Sequence, residues 1–461
     1  MAYEIQDHAF IRFFNIEITS GSLVLQTEIA QDANEQDRRE KQLEFGFDEE
    51  LTLKDDQVAL ALSLVCRDYE YVIFEGIAIS ENVKQVIGEW TGAEITCDIH
   101  PGPEGQIVIE GRKNYAALFS GGFDSTALLS LMPDETIPIH LSFGGLFVPE
   151  DEVISNYSFP EGIEPVIVTT NLYRTKLHRN GDAVNFVLAM PVIFFCENLS
   201  LRYFGWGHTL TAAGGDLLDS KIRLLSKTLP PVKCAGVDCI PYVNGLGEYV
   251  TTKIVLTKSQ EEVEASFQAA RCFANGSKAL RKRLIINCMG GDVALDDALI
   301  EARKERPELA NKESFVPYMM LFALQKLGLK RVSEDFRGIS PDIVEFTKDW
   351  DLSFFLKLNP IPLEYFPPEL VKDYLAKLAS FGIEVCNDTD LESFEKVRLL
   401  VRGIVAGNYT KYGLFPEDVE QKKRQIHRLR YKLKQREKQI NSFRFLSRRA
   451  AHLVAQRVRR R

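Results

Sequence analysis

The stretch NYAALFSGGFDSTALLSL, residues 114–131, sets Ser120, Gly121, Gly122, Phe123, Asp124 and Ser125 between two apolar runs. The first run suits a short buried strand ending at Phe119, and the second suits a helix beginning near Phe123. Glycines at such a junction let an anion approach the backbone without meeting a Cβ. The first turn of the helix offers free N–H groups and a partial positive charge. The hydroxyls of Ser120 and Ser125 add donors, so the expected ligand is a phosphate or pyrophosphate. Asp124 beside an anion makes sense as a helix-start acceptor or as a group sharing the phosphate's Mg²⁺. The plainer alternative is a tight strand-to-helix turn with a capping serine.

The loop has neither the Gly-Lys-Ser/Thr of a Walker loop nor a GxGxxG fingerprint. Its spelling, SGGxDS, resembles the pyrophosphate loop of the N-type ATP pyrophosphatases, the adenine nucleotide alpha-hydrolase-like superfamily. That group includes the amide-forming domains of GMP synthetase and asparagine synthetase, argininosuccinate synthetase and 7-cyano-7-deazaguanine synthase. IPIHLSFGG, residues 137–145, resembles the family's second strand, which implies that Ser142 and Gly144 lie beside adenine. VLTKSQEEVEASFQAARCFANG, residues 255–276, resembles a later stretch. There Lys258 would be the phosphate-facing cation and Cys272 the first of a set of zinc cysteines. GWGHTL stands where the deazaguanine synthases begin their substrate loop, which places His208 near substrate. The departures are as specific. Asp182-Ala183-Val184-Asn185 replaces a Gly-Arg-Asn segment, and only Cys272 and Cys288 remain where the family gathers four cysteines. Cys234 and Cys239 could complete four thiolates, although the spacing is not a zinc pattern; otherwise these are small buried thiols.

Two further acids, Asp216 and Asp219, follow the fourth strand and could hold Mg²⁺ or a substrate amine, or could simply open a solvated helix. A further Gly-Gly-Asp, at 290–292, lacks flanking serines and reads as a turn into a helix.

The chemistry implied by the resemblance is ATP-dependent adenylation. A carboxyl, amide or urea oxygen of a small substrate, deazaguanine-like or otherwise, attacks the α-phosphorus and pyrophosphate leaves. Ammonia or another amine then displaces AMP. Asp124 and Lys258 would carry the catalytic electrostatics, with ATP and Mg²⁺ bound at 120–125 and His208 and Asp216 on the substrate side. Two other readings stay open: an enzyme adenylating tRNA or another polymer, and a non-catalytic ATP or AMP sensor.

The elements that must position these residues read as an α/β protein with a parallel, doubly wound sheet. Residues 1–108 form a β-rich accessory domain, 109–290 the nucleotide-binding domain, 291–415 a helical domain and 416–461 a basic helical tail. In the first of these, FFNIEITSGSLVLQTEIA predicts a hairpin through Ser20-Gly21-Ser22, and DANEQDRREKQLEFGFDEE a charged loop or frayed helix. From 112 onward short apolar strands alternate with helical segments, the pattern of a parallel sheet with crossovers. Such sheets bind ligands beyond the carboxyl ends of their strands.

The 461 residues carry a net charge of -9. Residues 421–461 alone hold sixteen Lys and Arg and one acid, Glu437, so the remainder is strongly acidic. The tail is suited to nucleic acid, anionic lipid, an acidic protein surface or the chain's own body or sister subunit. No run approaches the roughly 18 apolar residues of a membrane span. The start of the chain lacks a secretory pattern, and eight scattered cysteines fit reduced thiols in the cytoplasm.

Overall fold

The computed structural model describes residues 9–30, 39–100, 110–175, 177, 186–210, 229–270, 276–305, 315–339 and 341–405. Asp216, Cys272 and the basic tail lie outside them.

One ten-stranded sheet runs through the chain in the order β10-β9-β6-β7-β8-β3-β2-β1-β4-β5. The strands are β1 (Phe10–Ile18), β2 (Ser22–Ala30), β3 (Arg39–Phe47), β4 (Tyr71–Ile79), β5 (Glu94–Ile99), β6 (Asn114–Leu118), β7 (Ile137–Ser142), β8 (Val166–Thr170), β9 (Leu201–Gly205) and β10 (Asp238–Cys239). The β6–β10 half is parallel throughout. Its order places β7 and β8 on one side of β6 and β9 and β10 on the other, so the chain reverses direction of growth at β6. Ligands of open α/β sheets bind beyond the strand ends at such a point.

The expected hairpin forms between β1 and β2, closed by Thr19 N–H donating to the Ser22 carbonyl at 2.9 Å. Alternation drives it: Leu23, Leu25, Thr27 and Ile29 are buried while Val24, Gln26 and Glu28 between them are not. Fully burying a side chain such as Phe13 or Phe45 contributes about 1.5–3 kcal/mol. Residues 39–47 of the segment expected as a loop or frayed helix instead supply β3, whose Leu43 and Phe45 enter the core while Gln42 and Glu44 stay exposed. β3 pairs with β2 and, antiparallel, with β8. The N-terminal strands therefore have no sheet of their own. Pairing β3 with β8 satisfies backbone groups that a free edge would leave open.

Both faces of the sheet are covered. Ala116 and Leu118 of β6 join one core and Ala117 joins the other, as strand periodicity requires. On the first face lie α1 (Asp55–Ser63), α2 (Glu81–Thr91) and a short α5 (Met190–Phe194). The Gln57 side-chain amide donates to the Ile193 and Phe194 carbonyls at 3.2 and 3.0 Å. On the second face lie α3 (Phe123–Leu131) and α6 (Glu248–Val255). Gly205 lets β9 approach α3, where a Cβ would stand 2.8 Å from Leu128 Cδ1. α4 (Val148–Asn156) follows β7, and α7 (Gln260–Ala269) and α8 (Ser277–Cys288) follow α6.

Beyond 290 the described chain is helical: α9 (Asp297–Glu305), α10 (Phe315–Asp335), α11 (Pro341–Thr347), α12 (Pro368–Ser380) and α13 (Asp388–Val405). Gly328, at φ +79°, breaks α10. Tyr374 and Leu378 of α12 share a core with Phe123 and Leu128 of α3, so the packing is continuous across residue 290. Asp335 on α10 is fully buried against Arg331 at 2.8 Å and Arg303 at 2.9 Å. Among the described residues, no helix is long and apolar enough to cross a membrane.

Candidate functional site

The chain leaves β6 through Phe119, whose N–H still donates to the Ile139 carbonyl at 2.8 Å. It then turns at Gly121, φ +71°, and enters α3 through Gly122, an extended N-cap residue that has no side chain to cap with. At Gly121 a Cβ would lie 2.3 Å from Val153 Cγ1 of α4, so glycine is required both by conformation and by space. The Thr126 N–H donates to the Gly122 carbonyl at 2.9 Å and starts the helix. Among the described residues, the N–H groups of Gly121, Gly122, Phe123, Asp124 and Ser125 donate to no protein acceptor. Five successive donors at a helix N-terminus form a concentrated positive end.

The two serines were expected to add donors, and the geometry gives Ser125 a different task. Its hydroxyl donates to the Gly122 carbonyl at 3.0 Å and accepts from the Ser120 N–H at 3.3 Å. It staples the turn, while the Ser120 hydroxyl lies 3.3 Å from it. Gly207, just beyond β9, closes against the helix start: a Cβ there would stand 3.2 Å from the Ser125 nitrogen.

Asp124 is held by α6 and α8. Its Oδ1 accepts from the Thr251 hydroxyl at 2.6 Å and lies 3.4 Å from Lys282 Nζ. Lys282 is nearly fully buried, sits 2.7 Å from Glu248 Oε2 and lies over the Phe123 ring at 5.5 Å. Arg281 stands 3.6 Å from the other Glu248 oxygen. Burial alone would raise the Glu248 pKa, but Lys282 and Arg281 hold it below the usual carboxylate range. A buried lysine needs such anionic partners, since an unpaired charge there would be costly.

Lys258, expected to face phosphate, follows α6 and meets Glu262 at 3.4 Å, one turn on. Among the described residues, the lysine that reaches the loop is Lys282. Sequence reasoning missed it because ALRKRL has the look of an ordinary amphipathic helix, and nothing local marks which cation is buried. Gly207, Thr251 and Glu248 were missed for the same reason: each matters only through a contact distant in the chain.

Ser142 ends β7, and Gly144, φ +59°, follows it with open space where a Cβ would point. Phe143, Phe147 and Tyr173 cluster there, with Phe147 and Tyr173 rings 5.1 Å apart. His208 lies past the end of β9, nine-tenths buried and stacked on Trp206 at 5.2 Å. Burial pushes its pKa down to about 4, so the ring is uncharged at neutral pH. The ends of β6, β7 and β9 thus bring 120–125, Ser142, Gly144 and His208 to one edge of the sheet, whereas Asp216 lies outside the described residues.

The donor set suits a nucleotide-bound Mg²⁺ better than a protein-caged metal. Asp124 Oδ2 has no protein partner among the described residues, and Mg²⁺ commonly takes one or two carboxylates with phosphate oxygens and water. No group of three or more His, Cys, Asp or Glu side chains suited to a metal occurs among the described residues. Burial pushes the Cys234 thiol up to about 11 and Cys288 up to about 12.

Compared with family models, curated proteins and solved structures, the chain matches none of them.

Proposed function

We propose that residues 120–125 bind the phosphate chain of ATP and that the protein is an ATP-dependent, AMP-forming enzyme. The sheet around β6 would then be a nucleotide-binding fold of the adenine nucleotide alpha-hydrolase type. The observation that carries this reading is the run of five backbone amides, Gly121 to Ser125, left without protein acceptors at a strand-to-helix junction where the sheet reverses its growth.

The leaving pyrophosphate gains charge as its bond to the α-phosphorus breaks. Pre-aimed amides stabilise that charge without reorganising, which is where such sites derive most of their effect. Asp124 would hold Mg²⁺ through its free oxygen, while Thr251 and Lys282 keep its other oxygen in place. Mg²⁺, when bound, would neutralise phosphate charge. The nucleophile is a carboxyl or amide oxygen of a small substrate, so no protein nucleophile is needed. His208, as a neutral imidazole, would offer that substrate a donor and an acceptor rather than a charge. An amine then displaces AMP.

Release of pyrophosphate from ATP, assayed against panels of small carboxylic acids and amides with ammonia, tests the reading. Asp124→Ala is expected to lower that release by about a hundredfold or more while the far-UV circular dichroism stays unchanged. Undiminished turnover in that variant overturns the assignment. ATP binding without release under any substrate would instead mark a nucleotide sensor. A polymer substrate is favoured by one observation, the sixteen cations of residues 421–461. RNA that co-purifies with the full chain and is lost on deleting 421–461 would identify it.

A further inference from the structure

We propose that His140 and Asp151 form a positioning pair that pins the peptide at the mouth of the glycine loop and keeps amides, not a carbonyl, facing the anion. The inference rests on reading 120–125 as an anion loop.

His140 lies inside β7 and is 4% exposed. Its Nδ1 is 3.0 Å from the Phe119 carbonyl oxygen, and its Nε2 is 2.8 Å from Asp151 Oδ1 on α4. A carbonyl and a carboxylate both accept. A neutral imidazole has one N–H and can serve only one of them. Satisfying both requires one more proton on the pair, as an imidazolium against the Asp151 carboxylate. The Phe119–Ser120 peptide is thereby held at both ends, its carbonyl by His140 and its N–H by the Ser125 hydroxyl at 3.3 Å.

That peptide immediately precedes the open amides. If it turned over, the Phe119 oxygen would point toward the anion and repel it. α4 and the residue that caps it brace the same place twice more: Val153 fills the space beside Gly121, and the ring of Tyr157, just past the helix, meets the Phe119 ring at 4.9 Å. Of the elements packed on β7, β8 and α5 carry no ionisable side chain, β6 carries Tyr115, and α4 carries Glu150, Asp151 and Glu152. Among the described residues, Asp151 is the one of these that meets the ring.

The test measures inorganic pyrophosphate binding to the full chain by calorimetry across pH, beside ¹⁵N spectra of the histidine rings. In the wild type, affinity falls about tenfold as His140 gives up its extra proton, the loss of one charge-assisted hydrogen bond. Asp151→Asn lets a neutral ring accept from the new amide while Nδ1–H stays on Phe119, so it flattens that step. Pyrophosphate's own titration is common to both proteins and cancels in the comparison. His140→Ala weakens binding about tenfold and speeds hydrogen exchange at the Ser120 amide, with thermal melts confirming that it folds. Below that step the wild-type ring shows both nitrogens protonated, and Asp151→Asn shows one. An identical pH step in Asp151→Asn, or a wild-type His140 that is already singly protonated below the step, overturns the proposal. Absence of pyrophosphate binding in the wild type at every pH overturns the anion-loop reading instead; ring protonation and Ser120 exchange then still decide whether the pair pins the peptide.

Discussion

Among the described residues, two glycine pairs are followed closely by an aspartate, at 121–124 and at 290–292; a third, at 214–216, lies outside them. The first follows a strand and opens α3. The second, expected as a turn into a helix, follows α8 and closes it. There Gly290 takes φ +84°, its N–H donates to Asn287 O at 3.1 Å, and the Gly291 N–H donates to Ile286 O at 3.1 Å. This is a Schellman ending, in which glycine lets the chain turn back and satisfy the last carbonyls. Asp292 is exposed and bonds the Val293 N–H at 2.9 Å and the Asn287 amide at 3.0 Å. At a helix start the backbone presents donors; at a helix end it presents acceptors. Similar letters therefore leave amides open at one place and consumed at the other. Only the first keeps the open donors that the proposed anion site needs.

The comparison can be broken most severely through the aspartates' partners. Lys282→Met would leave Asp124 and Glu248 without their buried cation and should cost about 3–5 kcal/mol in urea unfolding. In the wild type, the depressed Glu248 pKa contributes stability that is present above the ordinary glutamate range and lost as pH falls below it. Lys282→Met should weaken that acid dependence, read as unfolding midpoint against pH; an unaltered profile would mean that the lysine is not the group holding Glu248.

Exchanging the glycines sharpens the contrast with a smaller effect. In Gly121→Ala the left-handed backbone and the clash with Val153 together should cost about 2–4 kcal/mol and abolish pyrophosphate binding. Gly290→Ala, which has the same backbone need but open space around it, should cost about 1 kcal/mol and leave that binding alone. Equal effects on binding would erase the distinction drawn between the two turns. The least consequence is expected at Asp292→Ala, at most about 1 kcal/mol, because its partners can turn to water. A larger loss in thermal unfolding would show that this turn carries more of the helical region than its exposure implies.

Much of the strand layout was legible. The β1–β2 hairpin, β6 with α3, and the ends of β7 and β9 follow from alternation, apolar runs and glycine placement. β3 was not, because Arg39, Glu40, Lys41 and Gln42 are exposed and hide the two buried positions, Leu43 and Phe45. The helices α1 and α2 were read as part of a strand-rich region. In α1, Asp56 through Ser63 are all buried, so it lacks the polar stripe that betrays a surface helix. Asp124 was singled out in sequence, while its partners Thr251 and Lys282 stand 127 and 158 residues away and carry no local sign of that meeting.

The sequence by itself determined the turn: two glycines between a buried strand and an apolar helix admit few conformations, and steric limits on φ act residue by residue. Tertiary structure alone decided what surrounds it. One continuous sheet arose from the β3–β8 pairing, and Lys282 rather than Lys258 became the cation beside Asp124. Those outcomes depend on desolvation and pairing between distant segments, energies that exist only once the chain has closed around them.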